Sequence, residues 1–178
     1  MSSTTSFDVD FSDTVAVITG ASGALGSAAV DRFLEAGATV CAVDVIGPDD
    51  EDSLLERDPA TESDLAFYDA DLTDEDDVAG LVDSIVDDHG RIDHLLNIAG
   101  TWRGGDHIED TDLSEFDLLL NINLKTAFLA AKHALPHLQE TEGSIVSISA
   151  RSSLEGGEGD GPYRITKAGI RLLTETLA

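Results

Sequence analysis

The chain has 178 residues, with 36 Asp plus Glu against 10 Lys plus Arg and a formal net charge of -26 at pH 7. Its 42% hydrophobic content is too high for a disordered acidic chain and sufficient for a single domain over residues 1–178, with the charge on the surface. Such a surface repels phosphate backbones and anionic lipid, which argues against nucleic-acid and membrane partners.

Only three of the cations are lysines, Lys125, Lys132 and Lys167. Acid excess with so little lysine has the look of a halophilic composition, in which salt screens the self-repulsion of the compact state. The N-terminal MSSTTSFDVDFSD carries no basic segment followed by an apolar one, and no stretch has the apolar length of a membrane span. The lone Cys41, in TVCAVDV, reads as a small buried hydrophobe, and a single cysteine allows no internal disulfide. A soluble, cytoplasmic protein is expected.

In chain order, residues 14–19 (TVAVIT) are a β-branched apolar run that predicts a buried strand. Helical spacing follows over 23–36, with Leu25, Ala29, Phe33 and Leu34 on one side and Gly37 as the stop. A second strand is expected over 39–43, ending at Asp44. The acidic stretch 45–63 reads as a loop, with one helical turn at 51–56. A third strand is expected at 65–68, then a helix over 74–89 capped by Thr73 or Asp74. A fourth strand spans 92–98, and 101–111 is a polar loop. One long helix is predicted from Ser114, as its N-cap, to Leu138. A fifth strand covers 143–149. A glycine-rich loop over 154–162 leads into a last helix starting near Tyr163.

Strands and helices alternate, and the strands are continuous apolar runs rather than alternating ones. That pattern predicts a doubly wound α/β fold, a three-layer Rossmann-type arrangement with a parallel sheet covered on both faces.

The first strand runs into TGASGALG, residues 19–26. A glycine-rich turn between strand one and helix one lets backbone approach a pyrophosphate, and the helix N-terminus favours its charge. Asp44 follows Gly26 by 18 residues, where a carboxylate can accept from an adenine ribose 2′-OH and repel a 2′-phosphate. No Arg or Lys lies in 37–56. NAD is therefore preferred over NADP, against the plain alternative of a strand-ending acid in an acid-rich chain.

Taken together, TGASGALG, Asp71-Leu72, Asn97-Ile98-Ala99-Gly100 and the YxxxK of GDGPYRITKAG resemble the short-chain dehydrogenase/reductase family over essentially the whole chain. The resemblance implies cofactor contacts from Gly20, Ser22, Gly23, Ala24, Leu25, Gly26, Asp44, Asp71, Leu72, Asn97, Ala99, Gly100, Tyr163 and Lys167. It departs at Ala24, where the family has a glycine; alanine there requires a negative φ.

The same resemblance implies a catalytic set. Tyr163 and Lys167 are i,i+4 and share a helix face. A tyrosine is ordinarily a poor base at neutral pH, and a neighbouring cation favours its phenolate. The bland reading of the pair is a solvated helix start. Asn123 matches the asparagine that anchors a relay water; its plain alternative is a mid-helix Asn bonded to backbone. The family serine falls at Ala150. Three readings stay open: Ser149 serves after a small shift, Ser152 or Ser153 turns in, or the role is absent; Ser149 is the expected one. His133 and His137 are spaced like a metal pair but lack an obvious third ligand, so no metal is expected.

Family members continue beyond the YxxxK helix, so a chain truncated there is expected to hold the cofactor half and lack part of the substrate pocket. Its fifth strand would be a sheet edge. The function implied is hydride transfer between NAD(P) and a small-molecule secondary alcohol or ketone, by a homodimer or homotetramer. Two alternatives stand: a dinucleotide-binding module without useful catalysis, and a scaffolding relative that binds no dinucleotide. The salt expectation is testable directly. Unfolding free energy should rise steeply from low salt to molar KCl, and a flat denaturation midpoint across that range would refute it.

Overall fold

The computed structural model describes residues 9–178; the polar lead-in at 1–8 lies outside them. Five strands form one parallel sheet: β1 (Val15–Thr19), β2 (Thr39–Asp44), β3 (Leu65–Asp69), β4 (His94–Asn97) and β5 (Ser144–Ser147). Their order is β3-β2-β1-β4-β5. The chain winds outward from β1 in one direction, then crosses back beside β1 and continues in the other. The reversal opens a crevice at the carboxyl ends of β1 and β4, the place where open α/β sheets bind ligands.

Why the strands read as unbroken apolar runs is clear from their two faces. Val15, Val17, Cys41 and Val43 pack on one side against α2 (Glu75–His89) and α4 (Thr126–Glu140). Ala16, Ile18, Val40 and Ala42 pack on the other side with Val30 of α1 (Ala24–Glu35). Both faces are dry, so neither half of the alternation can be polar. Cys41 is fully buried, and burial pushes its thiol up to about 12, which leaves it an inert hydrophobe.

Local signals set the helix ends. Asp74 accepts from the backbone N–H groups of Asp76 and Asp77 and so resolves the α2 cap in its favour over Thr73. Gly37 follows α1 with φ +90°. Strand β5 lies at the sheet edge, and its Val146 is 52% exposed.

Four expectations are corrected. The long helix is three segments: α3 (Leu113–Leu119), a π-helical stretch Leu120–Lys125, and α4. Its first helical residue is Leu113, so Ser114 lies inside and Asp112 precedes it as the flanking residue. No helical turn forms at 51–56. The Leu54 N–H donates to the Ser22 carbonyl and Leu55 is buried against the α1 side of the sheet, which holds the segment irregular. Leu25 is 52% exposed, and Val30 takes the core position on α1. The last helix, α5 (Gly161–Leu177), starts near Tyr163 as expected, with Pro162 in its first turn.

Candidate active site

The β1–α1 turn is built by close backbone approach. A Cβ on Gly26 would overlap the Gly20 carbonyl oxygen and lie 2.7 Å from Gly20 C and 2.8 Å from Ala21 Cα. A Cβ on Gly20 would lie 2.8 Å from Ala99 Cα. The first turn of α1 therefore sits directly on the strand end, and the β4 loop sits on the glycine turn. Gly23 is the N-cap residue at φ −82°, with no side chain filling the cap. Ala24 opens α1 and is not among the described non-glycine residues with positive φ, which are Asp13 and Glu142. The departure at Ala24 thus costs no backbone strain.

Ser22 is buried and organises the next strand end. Its N–H donates to Asp44 Oδ2 at 2.9 Å, and its hydroxyl donates to the Ile46 carbonyl at 2.6 Å. The Ile46 N–H donates to Asp44 Oδ1 at 3.1 Å. Two backbone donors hold the Asp44 carboxylate in one orientation at the cleft. Asp71 accepts from the Thr73 N–H and hydroxyl, which hold its carboxyl below the usual range.

The other end of the cleft is organised around Lys167. This lysine is 5% exposed, its Nζ donates to the Ile148 carbonyl at 2.9 Å, and it lies 5.8 Å from the Tyr163 ring centroid. Among the described residues no carboxylate forms an ion pair with it. Burial holds its pKa below the ordinary lysine value. Gly100 lies beside it, since a Cβ there would be 3.4 Å from Nζ and 2.8 Å from Asn123 Oδ1.

Asn123 is fully buried in the π-helical stretch. It accepts from the Thr101 N–H at 2.7 Å and donates to the Thr166 hydroxyl at 3.2 Å. Both ends of its side chain are committed, tying the β4 loop to α5. Ser149 donates to the Lys167 carbonyl at 2.7 Å and pairs with Ser153 at 3.2 Å. Its hydroxyl is turned into the base of α5. Asn97 ends β4, and its side-chain nitrogen donates to the Ser147 hydroxyl at 3.3 Å.

One cleft of about 1060 Å³ joins the two ends. Gly20, Gly23, Ala24, Leu25, Gly26, Asp44, Asp71, Leu72, Ala99, Gly100, Tyr163 and Lys167 line it. Ser22, Asn97, Asn123 and Ser149 do not, and stand behind it. Sequence reasoning missed Ile46, Lys125 and Ile148 as lining residues. Lys125 carried a usable signal, a second rare lysine two residues after Asn123. Ile148 carried none, because a strand-end isoleucine has its ordinary place in the core.

Two outcomes follow. Gly26→Ala should destabilise the fold by about 2–3 kcal/mol through backbone overlap, and Gly23→Ala by less than about 1 kcal/mol, as read by urea denaturation. A Lys167 pKa lowered in the folded state means that the unfolded chain binds more protons just below 10.5, so stability gains from this group as pH rises toward that value. Relative to Lys167→Met, the wild type should therefore become more stable between about pH 8 and pH 10; a pH-independent difference would contradict it.

The family model for short chain dehydrogenase matches residues 14–178. (+)-Borneol dehydrogenase 2 of Salvia officinalis is 37% identical over 166 residues, covering 92% of this chain and 58% of that protein. Among solved structures, ElxO with NADP bound superposes with a TM-score of 0.84 at 29% identity, covering 93% of this chain and 66% of that one. An NADH-dependent reductase, A1-R′, complexed with NAD gives 0.80 at 25% identity, covering 93% of this chain and 71% of that one. The chain spans about six tenths of the length of the curated relatives it matches, 58% and 61% for two of them. With the family model covering the chain from β1 through α5, the protein belongs to the short chain dehydrogenase family.

Proposed function

We propose that the protein is an NAD(H)-dependent oxidoreductase that interconverts a secondary alcohol and its ketone, with Tyr163 as the acid–base group. The observation that carries this reading is the buried Lys167 ammonium, unpaired with any described carboxylate, beside Tyr163 in the cleft that also holds the glycine turn. A buried cation without a counter-ion is costly, and its cost is offset where it supports a phenolate or a ligand hydroxyl.

The residues present fit a dinucleotide. The glycine turn admits no Cβ at Gly20 or Gly26, and the uncapped start of α1 has backbone donors for a pyrophosphate. Asp44, held by the Ser22 and Ile46 amides, would accept from an adenine ribose hydroxyl and repel a 2′-phosphate, which supports NAD over NADP. Asp71, Leu72, Ala99 and Gly100 would flank the adenine and the nicotinamide ribose. When bound, the nicotinamide exchanges a hydride with the carbinol carbon.

Chain residues would handle the proton. In the oxidative direction the Tyr163 oxygen takes the hydroxyl proton while the carbinol hydrogen leaves with its electron pair. Lys167 stabilises the phenolate through space and would hold a ribose hydroxyl. Asn123 acts as a positioning residue, because Thr101 and Thr166 occupy its side chain. The Ser149 hydroxyl would have to leave the Lys167 carbonyl to reach a substrate oxygen, and Ala150 offers no replacement. That commitment favours a second reading, dinucleotide binding with weak turnover. A homodimer or homotetramer through α4 and α5 belongs to the main reading, supported by the half-exposed Phe128 and Leu172; so do a cytoplasmic setting and a halophilic one, supported by the acid excess.

Calorimetry in molar KCl tests the cofactor. NAD should bind at least about tenfold more tightly than NADP, and Asp44→Ala should erase most of that ratio. Tyr163→Phe should leave NAD affinity within about threefold and lower turnover on an alcohol panel by about 10³-fold. NAD binding with no wild-type turnover would establish the second reading, and no binding would end both.

A further inference from the structure

Trp102 is the only tryptophan of the chain and stands in an unusual position. It is 60% exposed, it has no aromatic partner among the described residues, and it lines the same cleft as Tyr163 and Lys167. An indole left in water forgoes much of the burial that such a side chain usually gains, so it marks a surface that something else covers.

Two anchors bracket it. On one side the Thr101 N–H donates to Asn123 Oδ1, and Gly100 sits against Asn123 and Lys167. On the other, the Gly105 N–H donates to the Gly159 carbonyl, and a Cβ on Gly104 would lie 2.7 Å from that oxygen and 3.0 Å from Asp160 Cβ. Gly159 and Asp160 immediately precede α5, and Asp160 is ion-paired to Arg164, one residue after Tyr163. Backbone contacts therefore hold the Trp102 segment to both supports of the Tyr163–Lys167 pair. The backbone that carries the indole is thus fixed on both sides.

The charge around that segment has one dominant sign. Asp106, Glu109 and Asp110 follow Trp102, and Glu155 and Glu158 lie on the facing segment, all exposed. Arg103 and Arg151 are the exposed cations there, outnumbered on both segments. The cleft itself carries Lys125 and Lys167 beside Asp44 and Asp71, so charge alone does not choose among ligands there.

We infer that Trp102 is the wall of the substrate subsite and that the substrate is a secondary alcohol, or its ketone, borne on a ring whose face stacks on the indole. The inference rests on the oxidoreductase reading of the same cleft. A flat indole offers a ring most of its contact area with little lost freedom.

The lone tryptophan makes the test direct. Indan-1-ol would be titrated into the 178-residue protein in molar KCl, with and without NADH, following intrinsic fluorescence; calorimetry would follow the same titration of Trp102→Ala and Trp102→Phe. Saturable change in the tryptophan signal is expected, with affinity about tenfold weaker in Trp102→Ala and largely kept in Trp102→Phe. The acyclic 2-butanol, which has no ring to stack, should bind at least about tenfold more weakly. NADH bound with no fluorescence response to indan-1-ol, an unchanged affinity in Trp102→Ala, or equal binding of 2-butanol would each overturn the inference. Indan-1-ol bound without any NADH affinity would keep the wall and overturn the oxidoreductase reading; binding of neither would overturn both.

Discussion

A single buried ammonium organises the functional end of this molecule. Lys167 is enclosed in a chain of net charge -26, and among the described residues no carboxylate pairs with it. Its one fixed contact is the Ile148 carbonyl at the end of β5. Gly100 beside it and the buried Asn123, which ties the β4 loop to α5, strip it of water on all but its cleft side. Most of the acids lie on the surface, where water and salt carry the cost of their mutual repulsion, and Asp44 and Asp71 line the other end of the cleft.

The sheet serves that arrangement by geometry rather than chemistry. Parallel strands end together, so the loops after β1, β2, β4 and β5 meet along one line. Each loop contributes a different capacity: close backbone approach after β1, a fixed carboxylate at the end of β2, a narrow glycine passage after β4, a carbonyl for Lys167 after β5. Residues that do not touch the cleft fix those that do. Ser22 aims Asp44, and Ser149 fastens the start of the Lys167 turn.

Much of this was legible in the residues. The β1 and β2 runs are apolar on both faces because both faces are covered, and α2 shows its period because only one face is. The glycine turn was legible because its backbone approach leaves glycine as the one residue that fits. The π-helical stretch was not, because over Leu120–Lys125 a π turn and an α turn ask for the same mixture of apolar and polar residues. Leu25 misled because an apolar residue in a first helical turn can face a ligand cleft as readily as a core. The direction of the Ser149 hydroxyl was not legible, because a loop hydroxyl is aimed by how α5 packs, which no local spacing records.

The widened coil between α3 and α4 has a cost that regular helices do not carry. Six residues there run at a looser winding than their neighbours, which amounts to about one residue more than an α-helix of the same span would hold. Removing one residue would restore a uniform helix and leave both flanks in phase, since the widened coil already absorbs the extra residue, while side chains inside the stretch would change direction. Asn123 would then leave Thr101 and Thr166. Local regularity and the braced β4 loop are thus alternatives in this segment. Gene-level drift toward a smoother helix would give a tidier rod and an unbraced cleft, so length in this stretch is under tighter constraint than its plain composition suggests.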